Sequence, residues 1–195
     1  LENRRLVQQG ITVMNKRQRT GVEALLTQAG VAPDAPLTAE TVGFVLGPRL
    51  NAVGRLEDAN DAALLLITRD EAEARRLASQ MEALNRRRRE LCEKTTREAE
   101  QFLRQSGVTI GPNETDTKAI VLASPDWHLG VIGIVASRLV DSYHVPVFLM
   151  VHDTQANTLR CSARSIKGFP LVEALEPLRH FFTVFGGHAM AGGFT

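Results

Sequence analysis

Cysteine is scarce in this chain of 195 residues, with only Cys92 and Cys161 present. The two stand in unrelated contexts, and no CxxC pair or Cys/His cluster suggests a zinc site. So few thiols fit a reducing cytoplasm. Long apolar runs are lacking as well. None approaches the roughly 20 residues that a membrane-spanning helix needs, and the charged, amphipathic start from Leu1 to Gln9 has no secretory pattern. The glycine-rich signatures of nucleoside triphosphate and dinucleotide binding are missing. So is the GxSxG elbow of a serine nucleophile. Asp and His do not recur at the spacing of a two-metal site.

Charge of one sign is lacking too: the net charge is +1. Hydrophobic residues make up 44% and charged ones 23%, an ordinary globular balance with room for one or two small domains. Arg86 to Arg89 are consecutive, but on a helix they point in every direction and cannot all face one ligand. Lys16, Arg17 and Arg19 form a second basic cluster. A solvated helix face accounts for either. The chain begins at Leu1 and stops at Thr195 in a strand-like run, so both ends are expected to be cuts in a larger protein.

Two halves are expected. Apolar spacing predicts helices over Asn3 to Lys16, Val22 to Ala29, Ala39 to Leu46 (entered through Thr38) and Asp58 to Leu66. Asp70 is expected to cap a long helix from Glu71 to about Gln105, with Leu77, Met81, Leu84, Leu91 and Phe102 as a broken apolar stripe. A helix this long and charged often bridges two domains. Gly107 to Thr117 has loop composition. Beyond it come strands at Lys118 to Ser124, Val145 to Val151 and Thr158 to Ala163. Helices are expected over Val131 to Ser142 and Pro170 to Arg179, with Pro170 in the first turn. Phe181 to Phe185 and Met190 to Thr195 frame Gly186-Gly187-His188. The fold class is therefore α/β: a helical segment with a long connecting helix, followed by a small α/β domain with a mixed sheet.

Four segments carry chemistry, each with a plainer reading beside it. In Pro48-Arg49-Leu50-Asn51-Ala52-Val53-Gly54-Arg55, the Gly47-Pro48 pair is expected to stop a helix. Arginine forks and an amide then alternate with small residues in a loop, a pattern suited to phosphate; surface arginines on an ordinary loop are the alternative. In Asp126-Trp127-His128-Leu129-Gly130-Val131-Ile132-Gly133, a strand ends and a helix begins. Its N-terminus can receive an anion and the sole Trp can stack on a base. Alternatively Trp127 plugs the sheet edge, Asp126 caps the helix, and Gly130 and Gly133 permit close packing. On the strand through Arg160-Cys161-Ser162-Ala163-Arg164-Ser165, residues 160, 162 and 164 share one face. That face is either a phosphate platform or the solvent side of an edge strand. In Gly186-Gly187-His188-Ala189-Met190-Ala191-Gly192, glycines flank a histidine. Such a loop can form an anion nest or be no more than a turn.

Together these segments resemble the RecJ exonucleases of the DHH phosphoesterase superfamily. Pro48 to Arg55 is similar to their PRxNAxGR motif, Trp127 to Ala136 to WHxGVxGIVA, and Ser162 to Ser165 to SxRS. Gly186 to Gly192 is similar to the GGHxxAxG signature of the DHH-associated domain. The matches occur in the family's order and span nearly the whole chain. Glu2-Asn3-Arg4 also looks like the segment that follows the last metal-binding motif.

The departure is that the DHH motif itself is absent. The resemblance implies that residues 1–69 are the last helices of the catalytic domain, 70–106 the connecting helix, and 107–195 a truncated DHH-associated domain. It implies a 5′–3′ single-stranded-DNA exonuclease of repair and recombination. Manganese or magnesium would be bound in the full-length enzyme and not by this piece. Carried over by position, Asn51 and Arg55 would stand at the scissile phosphate. Arg49, Arg160, Ser162, Arg164, Ser165, Gly186, Gly187 and His188 would hold substrate, with Trp127 and His128 least securely placed. The chain alone is expected to bind single-stranded DNA without cutting it, and possible artificial dimerisation of the exposed piece is expected. Two alternatives stay open: a relative acting on short oligoribonucleotides or cyclic dinucleotides, and a non-catalytic nucleic-acid-binding module.

Overall fold

The computed structural model describes residues 2–107 and 117–195. It divides into two compact units, Leu1–Arg89 and Glu90–Thr195. The expected loop at Gly107 to Thr117 lies, except at its ends, outside the described residues.

The first unit is helical: α1 (Glu2–Met14), α2 (Thr20–Gln28), α3 (Gly47–Leu56), α4 (Asn60–Ile67) and the first part of α5 (Glu71–Gln105). Asp70 caps α5 as its position in the sequence predicts, its carboxylate accepting from the Glu73 N–H at 2.8 Å. The core gathers Leu25, Leu26, Leu46, Val53, Leu65, Leu77 and Met81. Asn15 fixes the irregular segment before Leu37, donating to the Leu37 carbonyl and accepting from its N–H. At Gly21 a Cβ would lie 1.7 Å from the Leu65 carbonyl oxygen, so only glycine lets α2 meet α4 there.

One expectation fails here. Gly47-Pro48 does not stop a helix and PRLNAVGR is not a loop. Thr41–Leu46 is a π-helical turn that runs directly into α3. The Gly47 N–H reaches back to the Val42 carbonyl, five residues away. Proline lacks an N–H and crowds the preceding turn of an α-helix, and a π turn is where such an irregularity is absorbed. Pro48 thus occupies the first turn of α3.

The second unit contains the rest of α5, then β1 (Ile120–Ser124), α6 (Leu129–Tyr143), β2 (Val147–Asp153) and β3 (Thr158–Arg164). It closes with α7 (Leu171–Leu175), β4 (Phe185–His188) and β5 (Ala191–Phe194). The sheet is mixed, in the order β1-β2-β3-β5-β4. Only β1 and β2 run parallel, joined through α6 as a parallel crossover requires. Strand β3 is central, paired with β2 on one side and β5 on the other. The edge-strand reading is thereby overturned for residues 161–164. Alternation sends Cys161 and Ala163 to one face, where they pack with Phe148 and Leu171. Ser162 and Arg164 go to the other face, toward Gly133 of α6. The helix expected over Pro170 to Arg179 is split. Pro170 is the N-cap of the short α7, and Glu176–Phe181 continues as a 3₁₀ turn.

Candidate nucleic-acid interface

The helical form of PRLNAVGR gives its residues separate duties. Ala52 and Val53 are buried. Asn51 and Arg55, four apart and both exposed, lie one turn from each other on one side of α3. Arg49 is committed elsewhere. Its guanidinium pairs with the Glu82 carboxylate at 2.5 Å and donates to the Val45 carbonyl at 2.8 Å. Both partners of the ion pair are mostly buried, so Arg49 ties α3 to α5.

The WHLGVIG segment also proves more internal than expected. Trp127 is 4% exposed. Its indole N–H donates to the Glu98 carboxylate at 3.0 Å, and its ring lies 6.0 Å from that of Phe102. It packs against α5 and offers no face to a base. The helix is capped by His128, not by Asp126: His128 Nδ1 accepts from the Gly130 N–H at 3.0 Å. The His128 carbonyl accepts from the Val131 and Ile132 N–H groups. The Gly130, Val131 and Ile132 N–H groups of this terminus are therefore engaged by His128 itself.

Ser165 is likewise internal. Its hydroxyl donates to the Phe169 carbonyl at 2.6 Å, and its N–H donates to Met190. Arg160 is exposed near the other end of β3.

What remains is a coherent surface. Arg164 Nη1 donates to Ser162 Oγ at 3.2 Å and to the Ala163 carbonyl at 2.8 Å. The register places Arg164, Ala191 and His188 in one row across β3, β5 and β4, and Ser162, Gly193 and Gly186 in the next. Directly paired residues point to the same side, so Arg164, Ser162 and His188 share a face. Two strand spacings, about 10 Å, separate the backbones of Arg164 and His188. Between them the floor is Ala191 and two glycines, and around Gly186 the space is open. The Gly186-Gly187-His188 segment is thus a strand, correcting the loop nest expected there. Gly187 has φ +154°, and a Cβ on it would meet the Ala191 carbonyl oxygen at 2.5 Å, so the hairpin requires glycine. A bare floor flanked by a guanidinium, a hydroxyl and an imidazole can receive a phosphate with an attached sugar. The row structure was not legible before the register was known.

Elsewhere, a cleft of about 490 Å³ in the first unit is lined by residues including Arg17, Glu23, Glu71 and Arg75. Its charges pair with one another, Arg17 with Glu23 and Arg75 with Glu71. It contains none of the motif residues.

Residues 116–195 match the DHHA1 domain. The whole chain is 40% identical to the single-stranded-DNA-specific exonuclease RecJ of Bacillus subtilis, covering 24% of that protein. It is 38% identical to the Escherichia coli enzyme of the same name, with 98% of this chain and 33% of that protein aligned. Over its whole length the chain is RecJ-like, a piece that contains a DHHA1 domain. A crystal structure of Thermus thermophilus RecJ in complex with Mg²⁺ superposes with a TM-score of 0.82 at 34% identity. That match covers 99% of this chain and 28% of the other. A crystal structure of exonuclease RecJ bound to manganese gives a TM-score of 0.79 at 35% identity, with 99% of this chain and 45% of the other aligned. This chain spans about a quarter to a third of the length of the RecJ sequences it matches. Among its described residues, no three His, Cys, Asp or Glu side chains converge as a metal site would need. Among the described residues, no helix is long and apolar enough to cross a membrane.

Proposed function

We propose that this chain is the substrate-gripping part of a cytoplasmic 5′–3′ single-stranded-DNA exonuclease, and that it does not cut DNA by itself. In this reading residues 1–69 are the last helices of the catalytic domain, 70–106 the connecting helix and 107–195 the DHH-associated domain. Manganese or magnesium belongs to the full-length enzyme.

The observation that carries the proposal is the Arg164–Ser162 pair on a sheet face with a glycine floor and His188 beyond it. A terminal phosphate carries more charge than an internal diester, and a guanidinium with a hydroxyl beside it rewards that difference. Grip on a 5′-phosphate gives the enzyme its polarity. Asn51 and Arg55, aligned on α3, neutralise charge at the scissile phosphate. Arg160 extends the basic side of β3 toward the following nucleotides.

The test compares this chain with the full-length protein on a 5′-phosphorylated single strand with manganese. The full-length protein is expected to digest from the 5′ end, while this chain binds without cutting. Cutting by this chain alone would sink the proposal. A full-length protein that ignored DNA and cleaved dinucleotides would replace the substrate.

A further inference from the structure

Gly133, in the second turn of α6, sits beneath the two side chains to which the proposed function gives the 5′-phosphate. A Cβ built on it would lie 2.8 Å from Ser162 Oγ and 2.9 Å from Arg164 Nη2. Both distances are shorter than real methyl contacts, and both are to ends of side chains rather than to backbone. The strand on which those side chains stand would not be pushed away. Only the hydroxyl and the guanidinium would have to leave their places. The Gly133 carbonyl is used by Ser137, whose hydroxyl donates to it at 3.1 Å. The neighbours Val131, Ile132 and Val135 are fully buried, so the helix cannot easily shift outward to make room.

We propose that Gly133 is a positioning residue. Its bare backbone lets the Arg164 guanidinium and the Ser162 hydroxyl settle against α6 and fixes where they meet a terminal phosphate. The inference rests on the reading of Arg164 and Ser162 as the 5′-phosphate grip. A glycine inside a helix costs stability relative to alanine, so the position is held against local preference. The geometry of the grip supplies a reason.

The experiment uses the full-length protein and two single strands of one sequence, one 5′-phosphorylated and one 5′-hydroxyl. The preference for phosphate is read as the ratio of kcat/KM values, with thermal melting beside it. Gly133→Ala is expected to keep or raise the melting midpoint and to lower the phosphate preference by roughly tenfold, the scale of one charge-assisted hydrogen bond. The loss should appear chiefly as a raised KM for the phosphorylated strand. In a Ser162→Ala/Arg164→Ala background, where the methyl group meets neither the hydroxyl nor the guanidinium, Gly133→Ala should change the preference by less than about twofold. Undiminished preference in Gly133→Ala, with preference lost in Arg164→Ala, overturns the role of Gly133 and leaves the grip intact. A preference that survives Arg164→Ala overturns the grip and this inference together. A lowered melting midpoint for Gly133→Ala in the Ser162→Ala/Arg164→Ala background assigns the glycine to helix packing alone and also overturns it.

Discussion

Arg49 and Arg164 carry the same guanidinium in different company. Arg49 faces the Glu82 carboxylate in a mostly buried pair, with Arg89 a further 3.7 Å contact to the same acid. Arg164 donates to the Ser162 hydroxyl and the Ala163 carbonyl on a sheet face. Arg49→Ala is therefore expected to cost about 2–4 kcal/mol, because a half-buried carboxylate loses its main partner; denaturant unfolding reads it. Arg164→Ala is expected to cost less than about 1 kcal/mol in stability while weakening binding of 5′-phosphorylated strands at least tenfold. Equal destabilisation by both would mean that Arg164 is structural. At Cys161, burial pushes the thiol from its ordinary 9.0 up to about 12. Below pH 9 the folded and unfolded chains both keep the proton. Between pH 9 and about 12 the unfolded chain releases it first, so this residue's contribution to stability declines as pH rises through that window. Native Cys161 should resist alkylation at pH 8 and react once the chain is unfolded.

The elements were legible to different depths. Periodicity marked α2, α4, α6 and strands β1 to β3, because their apolar residues fill one face and little else competes. It read the first part of α5 through Leu77, Met81 and Leu84, which are buried. In the second part it chose Phe102, which is 39% exposed, over Cys92, Thr95, Ala99 and Leu103, which form the inward face. Small and polar residues make a weak stripe beside a phenylalanine. Gly47-Pro48 read as a stop because local rules for proline carry no term for a π turn upstream. The candidate site was legible as motifs through their resemblance to a family, and its geometry was not. Which arginine is neutralised, and which row of the sheet holds His188, are set by pairing between distant segments. Two substitutions test the elements directly. Gly21→Ala forces a methyl group into the Leu65 backbone and is expected to lower stability by about 2–3 kcal/mol. His128→Ala removes the α6 cap and is expected to cost about 1 kcal/mol, while His128→Asn should recover most of it. Thermal melting of each beside the parent checks both.

On the scale of the whole molecule, α1 buries none of its residues, and Leu6, Val7 and Val13 are more than half exposed, as is Ile67 of α4. Exposed apolar side chains on α1, with Val13 and Ile67 lining one cleft, favour a cover. The isolated chain is expected to self-associate at micromolar concentration, and polar replacement of Leu6 and Ile67 should return it to a monomer in sedimentation. The proposed grip of Arg164 and Ser162 sets which end of DNA this molecule holds. The most direct test is equilibrium binding of this chain to 5′-phosphorylated and 5′-hydroxyl single strands, with Arg164→Ala alongside. Tighter binding of the phosphorylated strand by at least tenfold, abolished in Arg164→Ala, is predicted. Equal affinity for the two strands, unchanged by the substitution, would mean that Arg164 does not grip a 5′-phosphate.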